Sequence, residues 1–95
     1  RRPALVVSRP EALGNASGHS VLAMITSAGH SRWPLDVPVA DLDAAGLPAP
    51  SVVRMKLFTL DDSLVVRSAG RLAEGDARAV EAALGRLFSP GVLTA

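Results

Sequence analysis

Val21 to Ile25 is an unbroken apolar run that leads straight into Thr26-Ser27 and breaks at Gly29. A continuous apolar run of this kind predicts a strand over 19–26 that is buried on both faces. Two hydroxyls at the end of a rigid, buried strand sit on a fixed support, which suits a polar site. The chain must cover both faces of this strand, and that requirement orders the rest of the sequence.

A second short strand is predicted over 4–7, where Leu5, Val6 and Val7 follow Arg2-Pro3. If these two strands lie together, Arg2 and Thr26 share one site. Pro10, Gly14, Asn15, Ser17 and Gly18 mark 8–20 as a mobile loop, and 28–34 is a further loop carrying His30, Arg32 and Trp33. Residues 35–39 alternate apolar and polar, with Pro38 pointing to an edge strand. Gly46, Pro48 and Pro50 place a turn with one helical turn over 40–50. A strand is predicted over 51–57, its period of two putting Arg54 and Lys56 on one face. Asp61-Asp62 suggests a turn within 58–63, and 64–72 is the last predicted strand, with Gly70 at a bulge or close approach. From Glu74 the period becomes helical, with Ala77, Val80, Ala83, Leu84, Leu87 and Phe88 on one stripe. Acidic residues open this helix, Arg86 lies near its end, and Ser89-Pro90-Gly91 stops it. The order predicts one domain over residues 1–95, mainly β with a C-terminal helix, in which a small bent barrel carries the helix.

Composition narrows the function classes. The chain of 95 residues has no cysteine, so disulfides, zinc-thiolate sites and thiol nucleophiles are excluded. No apolar run is long enough to span a bilayer and no signal peptide is visible, which makes a cytoplasmic location and no membrane partner the default expectation. The chain does not begin with methionine, as expected of a fragment or a trimmed chain. Lys56 is the only lysine, and the other nine basic residues are arginines, whose planar forks match phosphate and carboxylate oxygens. Aromatics are limited to Trp33, Phe58 and Phe88. Without a ladder of rings to stack bases, nucleic-acid binding would lean on arginine and backbone.

Few constellations carry chemistry on spacing alone. Gly14 and Gly18 lack the Lys-Ser/Thr pair of a phosphate-binding loop. His19 and His30 with Asp36, Asp41 and Asp43 show no recognised metal-ligand spacing, so neither metal nor cofactor is expected. Ser8 or Ser27 with His30 and Asp36 makes a triad only on paper.

Taken together, several stretches resemble the MazF/PemK family of toxins from bacterial toxin–antitoxin systems. They are Arg2-Pro3-Ala4-Leu5-Val6-Val7-Ser8, Ile25-Thr26-Ser27, and Gly46-Leu47 with Ser51-Val52-Val53-Arg54. Thr59-Leu60-Asp61, Gly70-Arg71-Leu72 and the final helix follow in the family's order. The resemblance implies an SH3-like barrel, a homodimer, and a metal-independent endoribonuclease acting on single-stranded RNA. In that chemistry a ribose 2′-hydroxyl attacks phosphorus, leaving a 2′,3′-cyclic phosphate and a 5′-hydroxyl.

By the same resemblance the catalytic residues are Arg2, Thr26 and Arg54. Arg2 stabilises phosphate charge, Thr26 holds phosphate or orients the nucleophile, and Arg54 assists as an acid. Ser27, His30 and Lys56 are the candidate substrate-binding residues, with His30 a reserve base. A cognate antitoxin is expected to lay an acidic, extended tail across the groove. The sequence departs from the family twice. Lys56 stands where the PemK branch has an aspartate base, and a lysine cannot take that role without a large pKa shift. The family's first strand, ahead of Arg-Pro, is missing here, which predicts an exposed sheet edge and a frayed Arg2. The alternative function is non-catalytic: a gyrase poison like the CcdB toxins, which share the fold, or an inactive interaction module.

Overall fold

The computed structural model describes residues 2–29, 31–91 and 93. Among these residues four strands form one antiparallel sheet: β1 (Ala4–Val6), β2 (His19–Ser27), β3 (Val37–Pro38) and β4 (Ser51–Asp61), in the spatial order β1-β2-β4-β3. The apolar run is central, as predicted, with β1 on one side and β4 on the other. Its burial on both faces is graded: Leu22, Ala23 and Ile25 are buried, while Val21, Met24 and Thr26 are half-buried. Pro38 lies on the edge strand, where its missing N–H costs no ladder bond.

The β2–β4 register shifts by two residues. Ala23 pairs with Leu57, yet Met24 pairs with Arg54, so Met55 and Lys56 bulge from β4. Bulges bend a strand and increase its twist, and here the sheet curls into the half-barrel of the expected fold class. One face of that curl holds the core, built from Ala23, Ile25, Val53 and Met55 with Val37, Val39 and Leu47. Helix α3 (Glu74–Leu87) closes it with Val80 and Ala83. The predicted stripe runs further than the packing does, since Leu87 and Phe88 are exposed.

Three segments differ from the sequence expectation. The 8–20 stretch is helical: Pro10–Gly14 forms a π-helical turn continued by α1 (Asn15–Ser17). Gly14, Asn15 and Ser17 lie within it, while Pro10 stands in the first turn, where no N–H is missed, and Gly18 at a left-handed cap with φ of 71°. The predicted turn within 58–63 is instead strand as far as Asp61, followed by a 3₁₀ turn at Asp62–Leu64. Residues 64–72 form no strand. β3 pairs with β4 only at Val52 and Val53, and this segment does not extend the sheet beyond them. It crosses instead to α2 (Leu42–Ala45), where the Arg71 N–H donates to the Ala44 carbonyl at 2.9 Å. The close approach expected at Gly70 is present: a Cβ there would lie 2.5 Å from the Ala44 oxygen.

Asp76, in the first turn of α3, is 7% exposed and accepts the Ala40 N–H at 3.0 Å and the Asp41 N–H at 2.9 Å. It ties the helix to the chain leaving β3. Asp76→Ala leaves both donors without that acceptor, at roughly 2 kcal/mol or more in total. Urea denaturation is expected to show that loss, and an unchanged midpoint would contradict the tie.

Candidate active site

Antiparallel pairing puts directly opposite residues on the same face. Ile25 and Val53 therefore point together into the core, while Thr26 with Val52, and Met24 with Arg54, share the outer face. The β1 register, with Ala4 opposite Met24, brings the Arg2-Pro3 lead-in alongside Thr26. Arg2, Pro3, Thr26, Ser27 and Ser51 line one cleft of about 300 Å³, floored by Leu47 and the Pro48-Ala49-Pro50 turn. Ser27 lies opposite Ser51 across the ladder, and the Ala28 N–H donates to the Pro50 carbonyl at 3.1 Å, fixing the rim.

The cleft presents one guanidinium and three hydroxyls, and no carboxylate lines it. Two ion pairs occur among the described residues, Arg54–Asp36 and Arg78–Glu74, and neither engages Arg2. A cation beside several hydroxyls, with no built-in anion, suits a phosphate or another oxyanion. A wider depression of about 510 Å³ lies over Ala40–Asp43. Its Asp41 carboxylate is already occupied as the N-cap of α2, accepting the Ala44 N–H at 3.0 Å.

Arg54 lies outside that cleft lining. It is 7% exposed, and its Nε and Nη2 donate to the two oxygens of Asp36 at 3.1 and 2.9 Å. Nη2 also donates to the Ser31 carbonyl. The Trp33 N–H donates to Asp36 at 3.0 Å, and the indole ring lies over the guanidinium with its centroid 5.2 Å away. Lys56 reaches the same ring at 5.7 Å, so Arg54 and Lys56 do share a face, one buried and the other exposed.

The loop between β2 and β3 is thus folded down onto the outer face. Trp33-Pro34-Leu35-Asp36 makes the turn, closed by an Asp36 N–H bond to the Trp33 carbonyl at 3.3 Å. Leu35 has φ of 67°, a conformation that costs a branched side chain energy. Its packing against the core and the Arg54–Asp36 pair hold it there.

Hydrogen bonding to Arg54 is the main cause that holds the Asp36 carboxyl below the usual carboxylate range. Burial opposes the shift, and the Trp33 N–H adds to it. The same pair raises Arg54 above the ordinary arginine value, which makes it a weaker proton donor in this state. His30 lies outside the described residues. No cluster of three potential metal ligands occurs among the described residues. Sequence reasoning did not single out Ser51 or the role of Asp36. A seryl at the start of a strand is unremarkable until the Ser27 register is known, and spacing alone offers Asp36 only as a metal ligand or triad member.

A carboxylate with a depressed folded-state pKa stabilises the protein at pH values above its unfolded pKa. That contribution is lost as pH falls through the folded pKa. Asp36→Asn is therefore expected to lower stability at neutral pH. Below about pH 4 its stability should fall less steeply than that of the wild type. Asp61, held low chiefly by the Ser63 N–H, titrates in both proteins. Chemical denaturation across pH tests this, and parallel curves for the two proteins would contradict it. Arg78→Ala, which breaks only the exposed pair on α3, is expected to leave the midpoint nearly unchanged.

The profile of PemK-like, MazF-like toxins of type II toxin–antitoxin systems matches residues 1–88. Among solved structures, the chain is similar to an Mtb toxin at 28% identity and a TM-score of 0.74, covering 92% of each chain. It is similar to the Mycobacterium tuberculosis toxin MazF-mt6 at 28% identity and a TM-score of 0.73, over 90% of this chain and 83% of that one. The MazE-MazF structure from Deinococcus radiodurans shares the fold, at 23% identity and a TM-score of 0.71, over 92% of this chain and 84% of that one. Comparison with curated proteins finds no match.

Proposed function

The chain belongs to the PemK-like, MazF-like toxins of type II toxin–antitoxin systems, and we propose that it is an endoribonuclease that cuts single-stranded RNA without a metal ion. The observation that carries this reading is the cleft that joins Arg2 to Thr26, Ser27 and Ser51 with no carboxylate in its lining. A phosphodiester bound there meets the Arg2 guanidinium and the hydroxyls of Thr26 and Ser27.

In the proposed reaction the ribose 2′-oxygen forms a bond to the adjacent phosphorus while the bond to the 5′-oxygen breaks. The products are a 2′,3′-cyclic phosphate and a 5′-hydroxyl. Charge builds on the non-bridging oxygens in the transition state, and pre-positioned donors aimed at it lower the barrier. Arg2 is the main stabiliser, its guanidinium facing the non-bridging oxygens. Thr26, on the rigid end of β2, donates its hydroxyl to a phosphate oxygen or orients the nucleophile, and Ser27 is a second contact.

Arg54 joins this machinery from the neighbouring position on the same face. Its Nε and Nη2 hold Asp36 and the Ser31 carbonyl and so keep the loop in place, which leaves Nη1 as the donor to offer a leaving oxygen. Lys56 offers an exposed cation to the RNA backbone. Asp36 is spoken for by Arg54, which leaves His30, four residues after Thr26 in the sequence, as the proposed proton acceptor.

A homodimer and an antitoxin belong to the same proposal. Leu64, Val65 and Val66 are 63%, 51% and 65% exposed, an apolar run with no strand partner that a second copy would cover. An acidic antitoxin segment entering the cleft would compete with phosphate for Arg2.

The test is digestion of a long single-stranded RNA in EDTA. Discrete fragments ending in cyclic phosphate are expected from the wild type. Arg2→Ala and Thr26→Ala, each folded by circular dichroism, are expected to lose a hundredfold or more in rate, the scale set by removing a transition-state donor. Intact RNA with the folded wild type, or full activity in both variants, would overturn the reading.

A further inference from the structure

The one tryptophan of the chain is placed in a way that the cleavage chemistry does not require. Trp33 is 43% exposed although it lies on the folded-down loop. Its ring lies over the buried guanidinium of Arg54, and the exposed Lys56 ammonium reaches the same ring. Its backbone N–H is bound to Asp36, whose oxygens are in turn gripped by Arg54. Exposure alone is ordinary for a surface ring, but the surroundings of this one are built. This one is fixed at its backbone, supported by a cation, and left open to solvent.

Its position relative to the cleft follows from the register. Thr26 pairs with Val52 and Arg54 is two residues further along β4, on the same outer face. Such diagonal neighbours lie about 7–8 Å apart, so the ring over Arg54 stands beside the Thr26 end of the cleft. A chain with one phosphate at Arg2 and Thr26 would pass next to it.

We propose that Trp33 is the stacking platform for one unpaired base of the RNA whose phosphate occupies the Arg2–Thr26 cleft, with Lys56 beside it meeting a flanking phosphate. The inference rests on the ribonuclease reading and adds a substrate contact to it. Stacking on a ring explains a preference for single strands, since a base within a duplex has no free face to offer. The Arg54–Asp36 pair then serves binding by holding the platform at a fixed height above the sheet. An acidic peptide would be attracted by Lys56 as well, but it has no flat group to match the open ring, so the base is the better fit.

The emission of this protein comes from Trp33 alone among tryptophans, which makes the platform directly observable. The probe is a random-sequence pool of short 2′-O-methyl single strands, which lack the nucleophile and are not cut. Saturable quenching of Trp33 emission is expected on titration, while an oligo-glutamate of equal charge leaves the emission unchanged. With a dye-labelled pool followed by anisotropy, Trp33→Ala is expected to weaken binding about tenfold or more, and Trp33→Phe by much less, as base–aromatic stacking predicts. Three results would overturn the platform. Binding with unchanged emission and unchanged affinity of Trp33→Ala removes it while leaving the ribonuclease in place. Equal quenching by oligo-glutamate shows a surface that reads charge and not bases. If the pool binds no form of the folded protein and RNA is not cut, the platform falls together with the ribonuclease.

Discussion

A guanidinium taken out of water must be matched, and in this protein Arg54 is matched by a single loop. Its two donors to Asp36 and one to the Ser31 carbonyl satisfy a charge that would otherwise be costly to bury on the face of a sheet. The price is structural and specific. Residues 31–36 must fold back over β4, and Leu35 must adopt a left-handed backbone to turn the Asp36 carboxylate inward. Removing either partner leaves the other charge half-buried, so the loop and the strand are stable only together.

This constraint divides the sheet between two tasks. The inner face is an apolar contact with α3, closed at the helix start by Asp76 binding the chain that leaves β3. The outer face carries the polar groups: Thr26 and Arg54 along the strands, Ser27 and Ser51 at the rim, and Trp33 above. The shift between Ala23 and Met24 belongs to the same arrangement, because Met55 and Lys56 fall in it. Met55 enters the core and Lys56 stays exposed near Trp33. A regular ladder would pair both residues across β2 and leave the sheet flatter.

Much of this was legible in the sequence where local pattern decides structure. The strand that ends in Thr26-Ser27, the edge position of Pro38, the close approach at Gly70 and the helix from Glu74 all follow from residue type and period. The segments that differed depend on something pattern does not carry. Leu64-Val65-Val66 has the composition of a strand, but the chain beyond it is tied to α2 by the Arg71–Ala44 bond, a tertiary contact that composition does not show. Pro10 and Gly18 do break helices, yet each stands at an end of the helical stretch and so permits it. In the candidate site, the order of the family's motifs brought Arg2 and Thr26 forward. Asp36 as the partner of Arg54 stayed hidden, because it is eighteen positions away and is delivered by a turn whose strain comes from tertiary contacts.

The outer face thus carries the cleft lined by Arg2, Thr26, Ser27 and Ser51 at one end and the partly exposed ring of Trp33 close to it. The most direct measurement is an NMR titration of the folded protein with a 2′-O-methyl single strand, following backbone amides and the Trp33 indole. The account predicts that Arg2, Thr26, Ser27, Ser51 and Trp33 shift together with one binding constant, while Val80 and Ala83 on the inner face stay still. Shifts confined to α3, or a cleft and a ring that respond with unrelated affinities, would contradict it.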